Sequence, residues 1–149
     1  MKKGIVFLMC FLAMSAMAQQ AELPCNGGTP ITSHAATDAG CSPATANTAA
    51  TCNEHTFCKS DKPMNWWSAF AWCESQGRKL TEFKTMCPGV SQTSSNTAGD
   101  CPNLQGKGDV WVWSSLAYFS DTALIVNLSS GAVFGFYARN DDKRHALCE

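Results

Sequence analysis

The chain has 149 residues, 45% of them hydrophobic and 15% charged, with nine cysteines and a formal net charge of −1. This balance excludes a dedicated electrostatic grip on nucleic acid or on an anionic membrane, which needs a concentrated basic surface. An odd number of cysteines is awkward for a disulfide protein.

Residues 1–18 remove the difficulty, because they read as a secretory signal peptide. Lys2 and Lys3 supply the positive n-region, residues 5–13 the apolar h-region, and Ala16-Met17-Ala18 the small-x-small cleavage site. The apolar run is too short and wrongly flanked for a transmembrane helix, and no later segment is long enough to span a bilayer, so no transmembrane anchor is expected. Cys10 lies inside the signal, where a lipoprotein reading would place Met9 at a position that wants a small residue. Cleavage would leave 131 residues with nine Lys and Arg against twelve Asp and Glu, a net charge of −3. Eight cysteines would remain, at 25, 41, 52, 58, 73, 87, 101 and 148. An even set in an oxidising compartment points to a disulfide framework rather than to thiol catalysis or zinc. The mature protein is therefore expected to be exported, whether periplasmic, on the cell surface or secreted.

Residues 19–51 are expected to form an irregular N-terminal segment. From residue 22 onward they are dominated by Ala, Thr, Ser, Gly, Pro and Asn without apolar periodicity, too little apolar surface to offset the entropy of ordering. The packed domain is expected over 52–149, where all five tryptophans and most large apolar residues fall. Its first helix is announced by Asp61 as a cap, Pro63 early, and Trp66, Phe70 and Cys73 at helical spacing, with Gly77 as the stop. Thr81 begins a short second helix with Glu82 in its first turn and Pro88-Gly89 after its end. Residues 91–107 are polar and turn-rich. Strands follow at 110–116, at 122–128 with Leu124, Val126 and Leu128 on one face, at 133–138 after the Ser130-Gly131 turn, and at 145–149. Two helices followed by a small antiparallel sheet make an α+β fold.

The pattern Trp66-x2-Ala69-x3-Cys73-x3-Gly77-x2-Leu80 resembles the first-helix signature of C-type lectin-like domains. Ala146-Leu147-Cys148-Glu149 resembles that family's last strand, and Trp111-Val112-Trp113 stands where the family has its central aromatic strand. The resemblance covers about residues 58–149. It implies a C-type lectin-like fold and a Cys73–Cys148 bridge from helix to last strand, worth about 4–5 kcal/mol on the chain-entropy model. Trp66, Phe70, Trp111 and Trp113 are expected to be core residues.

The sequence departs from the family at the calcium site. Neither Glu-Pro-Asn nor Gln-Pro-Asp occurs, and Asn140-Asp141 follows Arg139 rather than Trp. Cys148 comes only 37 positions after Trp111, which leaves no room for the long loop, and no cysteine lies between 101 and 148 to form the second family bridge. The resemblance is to compact bacterial domains of surface adhesins, which recognise ligands through side chains. Bacterial members also serve as scaffolds for retroelement diversification, a use that the residues at 118–121 and 137–142 would suit. No calcium, other metal or cofactor is expected.

Cys52-x2-His55-x2-Cys58 has metal-like spacing, but a local Cys52–Cys58 disulfide fits an exported chain better. Cys87–Cys101 would staple the polar insertion and Cys25–Cys41 the N-terminal segment, although eight cysteines admit on the order of a hundred connectivities. Catalysis has little support: Asp141-Asp142 reads as a solvated loop, His145 as a strand-edge residue, and no Gly-x-Ser-x-Gly or His-Glu-x-x-His occurs. No enzymatic activity is expected.

A binding surface has better grounds. Tyr118, Phe119, Ser120 and Asp121 occupy one turn, and Tyr137, Arg139, Asn140, Asp141, Asp142 and Lys143 another. Aromatics with Arg, Asn and Asp on loops give large contact area and directional hydrogen bonds. The packing alternative puts Phe119 and Tyr137 on the core, with the charges merely keeping the sheet edge soluble. The expected partner is a protein or glycan at the cell surface. A structural or envelope-assembly component with no dedicated ligand site is the second expectation.

Overall fold

A computed structural model describes residues 24–34, 54–92 and 96–149. The signal-peptide reading of 1–18, most of the 19–51 segment, and Cys41 and Cys52 lie outside the described residues. The architecture is α+β, with two helices on a mixed six-stranded sheet.

The strands are β1 (Gly28–His34), β2 (Glu54–Ser60), β3 (Trp111–Ala117), β4 (Thr122–Asn127), β5 (Val133–Ala138) and β6 (His145–Cys148), in the spatial order β1-β2-β6-β3-β4-β5. The expectation of a purely antiparallel sheet is corrected. Strand β6 inserts between β2 and β3, and pairs parallel to β3 through Val112 with His145 and Trp113 with Ala146. Every other pairing is antiparallel.

Alternation along the strands divides the interior into two cores. Phe57, Val112, Leu124, Val126 and Leu147 point to one face, with Leu128 beside them. Cys58, Trp113, Ala123, Ile125, Ala146 and Cys148 point to the other. Strand β4 is thus buried on both faces: Leu124, Val126 and Leu128 share a face as expected, and the opposite face is covered as well.

Helix α1 (Trp66–Ser75) covers the second face with Trp66, Ala69 and Cys73, the i, i+3 and i+7 positions. Its cap is Asn65, whose side chain accepts from the Ser68 N–H at 2.8 Å. Asp61 and Pro63 do not begin the helix. The Asp61 N–H donates to the Gly27 carbonyl, and Met64 pairs with Arg144 through both backbone bonds, so this stretch is held extended before helix can form. Gly77 (φ 70°) ends the helix as expected.

Helix α2 (Phe83–Met86) covers the first face with Phe83 and Met86. It begins two residues later than expected, because Thr81 pairs instead with β6. The Thr81 N–H and hydroxyl both donate to the Leu147 carbonyl, at 2.9 and 2.7 Å. The polar insertion contributes a 3-10 turn (Pro102–Leu104) that sends Leu104 fully into the first core.

Strands β1 and β2 were not expected from the sequence. Residues 28–34, read as irregular, pair with β2 along their whole length and bury Ile31 alone among their apolar side chains. An edge strand needs only backbone pairing, and Pro30 is tolerated there.

Three disulfides join the described residues: Cys73–Cys148, Cys87–Cys101 and Cys25–Cys58. The first two are as expected. The third corrects both the Cys25–Cys41 and the Cys52–Cys58 expectations. Extension over 54–60 opens the tight loop that a Cys52–Cys58 bridge requires, and β1 pairing brings the N-terminal cysteine to β2.

Candidate recognition surface

The two loops that the sequence singled out are brought together by one side chain. Arg139 follows β5, and its backbone N–H donates to the Asp121 carbonyl at 2.9 Å. Its guanidinium donates to the Ser120 carbonyl in the same turn. The guanidinium carbon also lies 4.8 Å from the centre of the Trp66 ring and 5.3 Å from that of Trp67. Both distances are within cation–π range. The Arg139 carbonyl in turn accepts from the Trp66 N–H at 3.1 Å. Loop 118–121, loop 137–143 and the first turn of α1 therefore meet at Arg139.

The two tryptophans have different duties. Trp66 is buried and donates its indole N–H to the Ser114 carbonyl at 2.8 Å. Trp67, one residue on and so about 100° round the helix, is 54% exposed. Its ring meets Trp66 edge-on at 4.8 Å. Its indole N–H is held by the Asn140 side-chain oxygen at 2.8 Å, and the Asn140 carbonyl accepts from the Asn65 amide at 3.5 Å. An exposed aromatic is thus fixed in orientation at both its face and its edge.

Among the described residues Phe119 is the other large exposed apolar residue, at 55%. Its ring packs edge-on against Tyr118 at 4.5 Å, and its N–H donates to the Thr122 hydroxyl at 3.2 Å. Ser120, Asp121, Asn140, Asp141 and Lys143 of the two loops are also exposed.

The remaining predicted residues support the loops from below. Tyr118 is half-buried over Gly135, where an added Cβ would stand 2.8 Å from the Tyr118 ring. Tyr137 is half-buried against the second core, 5.3 Å from the Phe134 ring, with the Arg144 guanidinium 4.1 Å from its centre. The Asp142 carboxylate accepts from the Ala138 N–H at 2.8 Å, and the Asp142 N–H returns to the Ala138 carbonyl at 3.1 Å. That closes the turn after β5. The packing alternative therefore holds for Tyr137 and fails for Phe119.

Two residues went unrecognised in the sequence, Trp67 and Asn65. Trp67 did carry a signal: a large aromatic next to a core-facing tryptophan must leave the buried face of an α-helix. Ser120 and Asp121 meet Arg139 through their carbonyls, which no residue type could announce.

The charge network lies elsewhere. Lys79 sits 3.0 Å from Glu149 and 3.6 Å from Glu82, and Lys84 2.7 Å from Glu82. The hydrogen bond to the Glu149 carboxylate holds the Lys79 amine above its ordinary range, and that from Lys84 holds the Glu82 carboxyl below its own. His145 is half-buried with Nδ1 at 2.7 Å from the Ser60 carbonyl. A concavity of about 340 Å³, lined by Met64 and Trp72 among others, shares no residue with either loop. Among the described residues no three His, Cys, Asp or Glu side chains gather as metal ligands would, and the Cys58 sulfur is taken by Cys25.

No protein-family model matches this chain, and no curated protein is detectably similar to it.

Proposed function

We propose that this chain is an exported bacterial recognition module of C-type lectin-like fold, which binds a protein or glycan through the 118–121 and 137–143 loops without calcium. The observation that carries this reading is the preorganised aromatic surface at Arg139. Ordering an exposed tryptophan normally costs rotamer entropy on binding, and here the Arg139 and Asn140 contacts have already met that cost. Trp and Arg are the residue types that dominate binding energy at interfaces. The lectin-like fold is supported by the helix-to-last-strand disulfide and by the central Trp111–Ala117 strand next to that last strand.

The test is binding to glycan arrays and to immobilised surface proteins in the presence of EDTA. Wild-type binding that persists in EDTA and falls at least tenfold in Trp67→Ala and Phe119→Ala supports the reading. Binding that is unchanged in both variants points to the second reading, an envelope-assembly component whose surfaces lie elsewhere on the domain.

A further inference from the structure

Two disulfides converge on one face of the sheet. Cys58 of β2 and Cys148 of β6 are register partners, so their side chains leave the same face with Cβ atoms about 4.5–5.5 Å apart. Cys58 is bonded to Cys25, which precedes β1, and Cys148 to Cys73 in the last turn of α1. Cys58, Cys73 and Cys148 are fully buried in one cluster, while Cys25 is partly exposed at its edge. Of the four residues, Cys25 alone keeps some exposure to solvent, so it is where a reductant enters.

We propose that these disulfides form an exchange relay, in which reduction at Cys25 passes inward through Cys58 and Cys148 and frees helix α1 from the sheet. A thiolate of a dithiol reductant attacks the Cys25 Sγ, and Cys58 departs as the thiolate. The second thiol of the reductant then displaces Cys25, giving the oxidised cyclic dithiol and a Cys25 thiol. The Cys58 thiolate attacks the Cys148 Sγ, so that a Cys58–Cys148 bond forms, the Cys73–Cys148 bond breaks, and Cys73 leaves and takes up a proton. Two electrons enter from the dithiol, two thiols appear at Cys25 and Cys73, and one disulfide is lost.

The direction follows from burial and register. Attack on the outer sulfur makes the inner one the leaving group, and a thiolate released in an apolar cluster is disfavoured there and strongly nucleophilic. The half of the Cys73–Cys148 bridge that lies across the strand pair from Cys58 is Cys148, its register partner. Strand-paired residues also stand within the Cα separation that a disulfide accepts. The helix so released is the one that carries Trp66 and Trp67.

The experiment is limited reduction of the oxidised chain with substoichiometric dithiothreitol at mildly alkaline pH, an acid quench, alkylation, and peptide mapping of the separated species. The species alkylated at Cys25 is expected to carry its second label on Cys73, with a Cys58–Cys148-linked peptide in place of the Cys73–Cys148 one. Labels on Cys25 and Cys58 with Cys73–Cys148 intact would overturn the relay. Cys58→Ser provides the second arm, since it removes the intermediate nucleophile. Cys73–Cys148 is expected to survive the same dose in that variant, and equal loss of the bridge there would also overturn the relay.

Discussion

The indole N–H of Trp67 and the side-chain oxygen of Asn140, 73 residues apart in sequence, meet at 2.8 Å. This bond fixes the edge of a ring that is otherwise half open to solvent. In Asn140→Ala the Trp67 indole proton is expected to exchange with water faster, and to lose its distinct chemical shift in a nitrogen-resolved NMR spectrum. The global stability loss should stay near or below about 1 kcal/mol, because the pair is exposed and water replaces the lost partner.

Arg139 requires its planar fork as well as its charge. Lysine at this position keeps the charge but cannot stack on Trp66 and Trp67 while donating to the Ser120 carbonyl. Arg139→Lys should therefore destabilise the domain by about 1–2 kcal/mol, read from denaturant unfolding. A Trp67→Ala background should shrink that effect, since the two changes remove parts of one contact.

Gly135 is a packing position, not a turn. Its Cβ would stand 2.8 Å from the Tyr118 ring and 3.0 Å from the Leu124 side chain, both held by the core. Gly135→Ala should cost about 1–3 kcal/mol by overpacking. Gly77→Ala, whose Cβ meets nothing within 4 Å, should cost only the left-handed backbone strain of about 1–2 kcal/mol. The two are told apart by adding Tyr118→Ala, which should relieve the first and leave the second unchanged.

The Lys79–Glu149 pair gives a pH dependence on the alkaline side. Because Lys79 is held above its ordinary range in the folded chain, its contribution is complete at lower pH and is lost as the pH rises through its folded-state value. The loss should be small, since Lys79 is largely exposed. Glu149→Gln is expected to flatten the alkaline limb of the denaturant midpoint against pH and leave the neutral region nearly parallel to wild type.

The later strands were legible because their apolar residues alternate, and because turn residues bound them at Ser130-Gly131. Strands β1 and β2 were not. Each gives the core little, Ile31 in one and Phe57 with Cys58 in the other, so their existence rests on backbone pairing that leaves no periodicity in side chains. Asp61 carried a capping signal that Asn65 also carried. The choice between them was made by Met64 pairing with Arg144, a contact between segments 80 residues apart. The candidate surface divided the same way. Its loop residues were visible from composition, whereas Trp67 was hidden beside Trp66 and the joining role of Arg139 depends on two distant carbonyls.

The placement of β6 also makes the whole sheet depend on one strand. Of the described strands it comes last in the chain, yet it is the one element that bonds β2 on one side and β3 on the other. Without it, the described strands would pair only as β1–β2 and β3–β4–β5, each with an open edge where β6 now bonds. Closing the sheet therefore depends on contacts distant in sequence, a topology that folds slowly, and loss of β6 would open both edges to pairing with other chains.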